Sequence, residues 1–500
     1  MFKRFHVTYN LVSMSALVLL LALMSGCARE ATTEIPITTT SEEARATYIE
    51  ARQLAENLRL DESRAMYEQA IEQDSAFALA HWARALLGVS NREFREYLDQ
   101  AVALAPNVSR GERLLIEANE ALAEDKPTTA LRLRKQLVRR YPNDKRAHNT
   151  LGGSYFGLDE VDQAITAYER AVELDANYPP PYNTLGYLYM NDFQFDKAEN
   201  AFQNYIRLIP NEANVYDSMA DLYTRMGRYE DAIENYRMSI ERNPTFAFSQ
   251  RKIGINQVYM GQYDAGRASM REAIGIEETP IGRVIDLEMI AFTNLYEKNP
   301  DATLASLQEA LSMAEEEGLV VRIALIHSGL CRLHFSTTGD LDQAEAELQT
   351  FQEIVQESKI TEGARDFFSE LALGQAAQIA ARRGDFDLAF AKAEELEASI
   401  AAGENPTETE GYHQNMGQIY LKQGDFSKAL EHFAQANEDD PYTYYLMAKA
   451  EAGAGNDERA MELYQKVVDW NEVISHNAGN HHRALGYAMA RPKALAALEE

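Results

Sequence analysis

Residues 151–171 read LGGSYFGLDEVDQAITAYERA, residues 185–205 read LGYLYMNDFQFDKAENAFQNY, and residues 219–239 read MADLYTRMGRYEDAIENYRMS. Small residues recur in register (Gly152 and Ala164, Gly186 and Ala198, Ala220 and Ala232), and so do rings at Tyr155 and Tyr168, Tyr189 and Phe202, Tyr223 and Tyr236. The alanines at 164, 198 and 232 set a stride of 34 residues. Self-similarity at such a period marks a unit that stacks on copies of itself. The unit here is a helix–turn–helix pair. Its small residues let two helix backbones cross closely, and its rings fill the space between neighbouring helices with large buried area. Pro210 and Pro244 end the second helix of their pairs, because proline lacks the amide and clashes with the preceding turn.

The pattern extends outward with decay. Met416-Gly417, Tyr420, Ala429, Phe433, Ala436 and Pro441 meet every key position, and Ala448, Ala460 and Tyr464 continue it. Ala51, Leu54, Ser63, Tyr67 and Ala70 form a weaker copy upstream. Ile253-Gly254, Gly266, Met270 and Ala273 keep the spacing without the rings. Gly339-Asp340, Gly384-Asp385, Gly424-Asp425 and Gly455-Asn456 mark turns, with glycine ending the first helix and Asp or Asn capping the second. Residues 281–402 keep an apolar spacing near 3.6 without the strict pattern, as longer amphipathic pairs do. No run alternates as a strand does. The sequence therefore predicts an all-α chain of about twelve helix pairs, with residues 476–498 as a final capping helix.

This grammar resembles the tetratricopeptide repeat. The resemblance implies a right-handed α-α superhelical solenoid of stacked pairs, with a long binding surface and no built-in catalytic pocket. It suggests degenerate pairs over 43–144, a well-formed array over 145–279, long pairs over 281–402, and C-terminal pairs with the capping helix over 407–500. In that family the first helix of each pair lines the concave face and commonly grips an extended peptide or a partner helix. Aligned on the Leu-Gly pairs, that face begins with Asn149, Asn183, Asp217 and Arg251, and continues with Tyr187, Asp221, Asn191, Arg225 and Tyr259. Asparagine both donates and accepts, so it can bond a peptide backbone, and the tyrosines offer rigid amphipathic contacts. The carboxylate clamp of some members is not matched: Gly153 stands where it needs asparagine, and Asp217 would repel a carboxylate. The stretch from Pro106 to Asp144 also resembles repeat tails on some bacterial Ser/Thr kinases and winged-helix regulators, but neither of those domains is present in the sequence.

Lys3, Arg4 and His6 precede an apolar run from Leu11 to Met24, and Met24-Ser25-Gly26-Cys27 follows. A basic start, a short apolar run and small residues at the cut describe a secretory signal peptide over 1–26. The run is short for a bilayer span. Its last four residues resemble the bacterial lipobox, with Met24 where leucine is commoner. That resemblance implies a lipidated Cys27, anchored stably by more than one acyl chain, and a flexible Thr-rich tether over 27–42. Ala28, rather than aspartate, behind the cysteine implies the outer membrane, facing the periplasm.

The formal net charge is −30, which disfavours nucleic acid as a partner. Residues 301–500 hold 35 acidic and 15 basic side chains, so the C-terminal part carries most of the excess as a solvated acidic surface. Arg132, Lys135 and Arg139 share one helix face and read as its wet side. Cys331 reads as a small buried hydrophobe. His476, His481 and His482 lack metal-ligand spacing, and no Walker loop, dinucleotide glycine motif or nucleophile elbow occurs. The expectation is a chain with no catalytic residue, metal or cofactor, which holds a protein or extended peptide in its groove and reaches the membrane through Cys27. It describes a non-enzymatic scaffold of a bacterial envelope complex. A regulatory module beside a signalling partner is the alternative, and a hydrolase with a cryptic site comes third.

Overall fold

The computed structural model describes residues 34–402, 409–437, 440–471 and 480–499. Cys27, the signal segment and His476 lie outside the described residues. Among the described residues there are 25 α-helices and no strand. Five pairs come first: α1 (Glu42–Glu56) with α2 (Leu60–Gln73), α3 (Ala78–Leu86) with α4 (Asn91–Leu104), α5 (Arg110–Ala123) with α6 (Pro127–Arg140), α7 (Lys145–Phe156) with α8 (Val161–Leu174), and α9 (Pro180–Asn191) with α10 (Phe195–Leu208). Seven follow: α11 (Ala213–Arg225) with α12 (Tyr229–Arg242), α13 (Ala247–Tyr259) with α14 (Tyr263–Ile276), α15 (Pro280–Tyr296) with α16 (Pro300–Glu316), α17 (Val320–Leu333) with α18 (Leu341–Glu357), α19 (Glu362–Arg383) with α20 (Phe386–Ala402), α21 (Thr409–Gln423) with α22 (Phe426–Phe433), and α23 (Pro441–Gly453) with α24 (Asp457–Asp469). A last single helix, α25, spans Asn480–Glu499. The fold is a solenoid of stacked helix pairs.

The small residues do what the sequence requires of them. A Cβ on Gly186 would lie 2.3 Å from the Phe202 ring, one on Gly152 2.8 Å from Tyr168, and one on Gly417 2.4 Å from Phe433. Ala164, Ala198, Ala232 and Ala429 are fully buried at the partner positions. Where the rings are missing, the backbones themselves meet. A Cβ on Gly254 would fall 2.6 Å from the Gly266 carbonyl oxygen, and one on Gly266 2.7 Å from that of Gly254. Two glycines thus replace a glycine–ring contact by direct backbone approach.

The turns follow the same chemistry. Gly339, Gly384, Gly424 and Gly455 take left-handed φ of 77°, 84°, 88° and 84°, which a side chain would resist. Asp340, Asp385 and Asp425 then accept from the amides of Gln343, Leu388 and Lys428. Asn456 instead donates to Glu451. Between residues 280 and 402 the stride is lost because helices lengthen: α15, α16, α18 and α20 have 17 residues each and α19 has 22, against 14 for α8 and α10.

The chain divides into two compact units, Met1–Pro210 with α1–α10 and Asn211–Glu500 with α11–α25. The division falls inside the array read from sequence as 145–279. In the first unit, the expectation of a free tether up to residue 42 fails for its described part. The Ile35 amide donates to Asp144 at 2.7 Å and the Thr38 amide to Glu112 at 2.6 Å, while the Thr39 hydroxyl bonds Asp74. Ile35 and Ile37 pack on the apolar core that holds Tyr48, Phe77 and Leu114. Asp144 caps α7 and Glu112 caps α5, so carboxylates placed to satisfy helix amides also collect the amides of this extended strap. The Thr39 hydrogen bond contributes most to holding the Asp74 carboxyl below its ordinary pKa.

Two stability measurements check these contacts. Gly186→Ala is expected to lower the unfolding free energy by about 2 kcal/mol through overpacking, whereas Gly275→Ala, with open space around its Cβ, raises it by up to about 1 kcal/mol through helix propensity. Thr38→Val removes the hydroxyl that bonds the buried Glu112 and is expected to cost about 1.5 kcal/mol in urea unfolding.

Candidate interaction surfaces

The nine residues expected to line a groove separate by unit. In the first unit, Asn149 on α7 and Asn183 and Tyr187 on α9 are half-buried, and Asn191 at the end of α9 is exposed. Tyr187 sets its ring edge-on to Phe202, with centroids 5.3 Å apart, so it leans on the ring that fills the Gly186 notch. Phe156 was not among the expected residues. It stands seven positions after Asn149, which puts the two on one helix face, and it keeps 52% of its surface exposed. That spacing was the available signal for it.

In the second unit the corresponding residues are buried, which corrects the expectation of an open groove there. Asp217 and Asp221 on α11 both receive the Lys252 ammonium of α13, each at 2.8 Å. The Tyr236 hydroxyl also donates to Asp221 at 2.6 Å, and the Ser249 hydroxyl to Asp217 at 2.8 Å. Burial works against the Lys252 charge, yet the two carboxylates outweigh it and hold its pKa above the ordinary lysine value. The next step repeats the arrangement: Arg251 of α13 pairs with Asp286 of α15, whose pKa burial pushes up to about 6. In the step after that, Glu288 of α15 pairs with Arg322 of α17. Each rung joins the first helix of one pair to the first helix of the next, roughly one repeat later in sequence. Residue types suited to gripping a ligand are thus consumed in holding the stack.

Arg225 and Tyr259 are occupied by the C-terminal end of the same unit. The Arg225 guanidinium donates to the Trp470 carbonyl at 2.8 Å and lies 4.3 Å from its ring. Tyr229 bonds Asn471 at 2.5 Å and receives a hydrogen bond from Arg491 at 3.2 Å. Tyr259 meets Tyr487 edge-on, with centroids 6.1 Å apart, under the Arg491 guanidinium at 4.8 Å. Seven pairs therefore bring the start of the unit against its end, and α25 fills the space between. Every residue from Ala484 to Pro492 is buried. Helix α25 packs on α15, α17, α23 and α24. Its sequence carried the signal: Ala484-Leu485-Gly486-Tyr487-Ala488-Met489-Ala490 is apolar or small all round, and a helix of that kind is buried on all sides.

Cys331 is fully buried, and burial drives its thiol pKa well above the ordinary value, so it is unreactive. Arg132 and Arg139 are exposed and Lys135 half-buried, whereas Arg134 turns inward to the Thr150 carbonyl and the Ser154 hydroxyl. Among the described residues no group of His, Cys, Asp or Glu is arranged to hold a metal, and no helix is long and apolar enough to cross a membrane.

The rungs make a direct prediction. Lys252→Met leaves two carboxylates buried beside one another and is expected to cost about 4 kcal/mol, read as a lowered midpoint in guanidinium unfolding. Arg459→Gln, which loses only a surface pair with Glu462, is expected to cost under about 1 kcal/mol.

The family-model matches agree with a repeat architecture. Tetratricopeptide repeat family models match residues 152–192, 179–212, 213–246 and 411–443. A comparison with curated protein sequences finds no match. Similar solved structures include MamA 41-end from Desulfovibrio magneticus RS-1, at 16% identity, covering 34% of this chain and 96% of that one, with a TM-score of 0.32. A further MamA structure matches at 24% identity over 34% and 92%, with a TM-score of 0.31. YrrB, described as a TPR protein with an unusual peptide-binding site, matches at 15% identity over 37% and 94%, with a TM-score of 0.29. Residues 152–246 and 411–443 of this chain thus match the tetratricopeptide repeat.

Proposed function

We propose that the chain is a non-enzymatic scaffold of a bacterial envelope complex, which holds a protein or extended peptide on the accessible first-helix face of its N-terminal unit. One observation carries this reading: Asn149, Asn183, Tyr187, Asn191 and Phe156 keep exposed surface, while the equivalent face of the C-terminal unit is filled by α25. The residue types suit the task, since amides bond an extended backbone in either sense and an exposed ring gives an apolar anchor.

In the same reading Cys27 carries the lipid, and the chain sits in the outer membrane facing the periplasm. The support is the signal-peptide sequence and the cysteine that ends it. Eight residue steps separate Cys27 from Ile35, where the strap is already bonded to Asp144. At full extension they reach about 28 Å, so the anchor would hold the N-terminal unit near the bilayer surface.

In-cell crosslinking followed by mass spectrometry tests both parts. The expected outcome is a set of crosslinks to one envelope assembly, lost when Asn149, Phe156 and Asn191 are changed to alanine. Crosslinks that survive those changes would sink the proposed face. Cys27→Ser is expected to move the protein out of the membrane fraction, and unchanged fractionation would remove the lipid anchor.

A further inference from the structure

One solvent-reached hollow in the C-terminal unit has a charge opposite to that of the chain around it. It is a cavity of about 600 Å³ beneath α25, reached by side chains of α19, α21, α22 and α23. Arg382, Lys422, Lys449 and Lys493 line it, and no carboxylate does. Acidic side chains outnumber basic ones 35 to 15 over residues 301–500, so four bases without an acid depart sharply from the local composition.

The surroundings leave these charges unneutralised. Among the described residues, none of the four forms an ion pair. Arg382 donates to the Gln378 side-chain and main-chain oxygens and lies 4.6 Å from the Phe335 ring. The Lys449 ammonium stands 5.9 Å from the Tyr445 ring. Partial desolvation, together with Lys449, Arg382 and Arg332, holds the Lys493 pKa below its ordinary value although the residue reaches solvent. A second, independent feature lines the same hollow. After α17 the chain makes a π-helical turn, His334–Thr338, that ends at the left-handed Gly339, a local irregularity that often marks a functional site. It places Ser336 on the cavity wall with its buried hydroxyl lacking a hydrogen-bond partner. Such an orphan group is normally satisfied by something bound beside it. Tyr442 and Tyr445 also line the hollow, with ring planes 29° apart and centroids 6.0 Å apart.

We propose that this cavity binds a small organic polyanion, phosphorylated or polycarboxylic, whose charges meet Lys422, Lys449, Lys493 and Arg382 and whose uncharged part rests on Tyr445. The cationic heads are long and adjustable, which suits clustered negative charge more than one rigid group. Bound anion also secures α25, because Lys493 and Met489 of that helix form one side of the cavity. The site therefore links ligand occupancy to the helix that fills the unit.

Thermal unfolding and titration calorimetry of the full chain test it, with pyrophosphate, citrate and adenosine triphosphate as probes. At least one probe is expected to release heat at millimolar concentration or below, raise the unfolding temperature, and lose affinity as sodium chloride is added. Tighter binding of adenosine triphosphate than of pyrophosphate would place an aromatic group on Tyr445, and citrate binding alone would assign the polycarboxylic class. Lys449→Gln with Lys493→Gln is expected to weaken binding roughly tenfold or more and to leave the unliganded protein at least as heat-stable as the parent, since like charges are removed. Arg459→Gln is expected to bind as the parent does. No response to any probe, or parent-like affinity in the double variant, would overturn the site. Unfolding of the double variant without ligand would overturn it too, by making the lysines structural.

Discussion

The repeat array of this molecule rests on the close crossing of two helices at small residues, glycine or alanine. Where glycine stands, a ring from the partner helix occupies the notch, as Phe202 does at Gly186 and Phe433 at Gly417. Where the ring is lost, a second glycine brings backbone against backbone, as at Gly254 and Gly266. The pair must bury its apolar face against a neighbour, so one tight crossing propagates into an array. The 34-residue stride is the sequence record of that packing.

The two units use the inner face of the array differently. In the N-terminal unit it remains partly accessible, and an extended strap is tied to Asp74, Glu112 and Asp144 near the helix ends. The C-terminal unit instead buries a ladder of ion pairs between successive first helices and closes on α25. Buried pairs cost desolvation, so their yield in stability is small, but breaking one is expensive. Their effect is to fix register: Lys252 can satisfy Asp217 and Asp221 only if α11 and α13 stand at one height.

Closure also creates the cavity beneath α25. Lys422 and Lys449 reach solvent there, where repulsion between charges is screened within about 8 Å at physiological salt, and Arg382 is half-buried beside them. The packing of α25 brings Lys493 to the same hollow, so four bases from four helices far apart in sequence line one space.

The repeat, the all-helical class and the positions of the glycine turns were legible in the residues because they depend on neighbours less than one repeat away. The first-helix face was legible too, as a stripe at regular spacing, and Phe156 belonged to it. Whether that stripe met solvent was not. Asp217 and Arg251 look like ligand-gripping residues until α13 and α15 stand beside them, and Tyr259 until Tyr487 arrives from more than two hundred residues downstream. The strap shows the same limit, since Thr38 and Glu112 are 74 positions apart. By itself the sequence determined the helix pair and its stacking, because steric fit within a repeat is local. Only the tertiary structure decided which inner faces are filled, which charges are paired, and where a cavity of one sign remains, because those depend on contacts that the superhelix alone brings together.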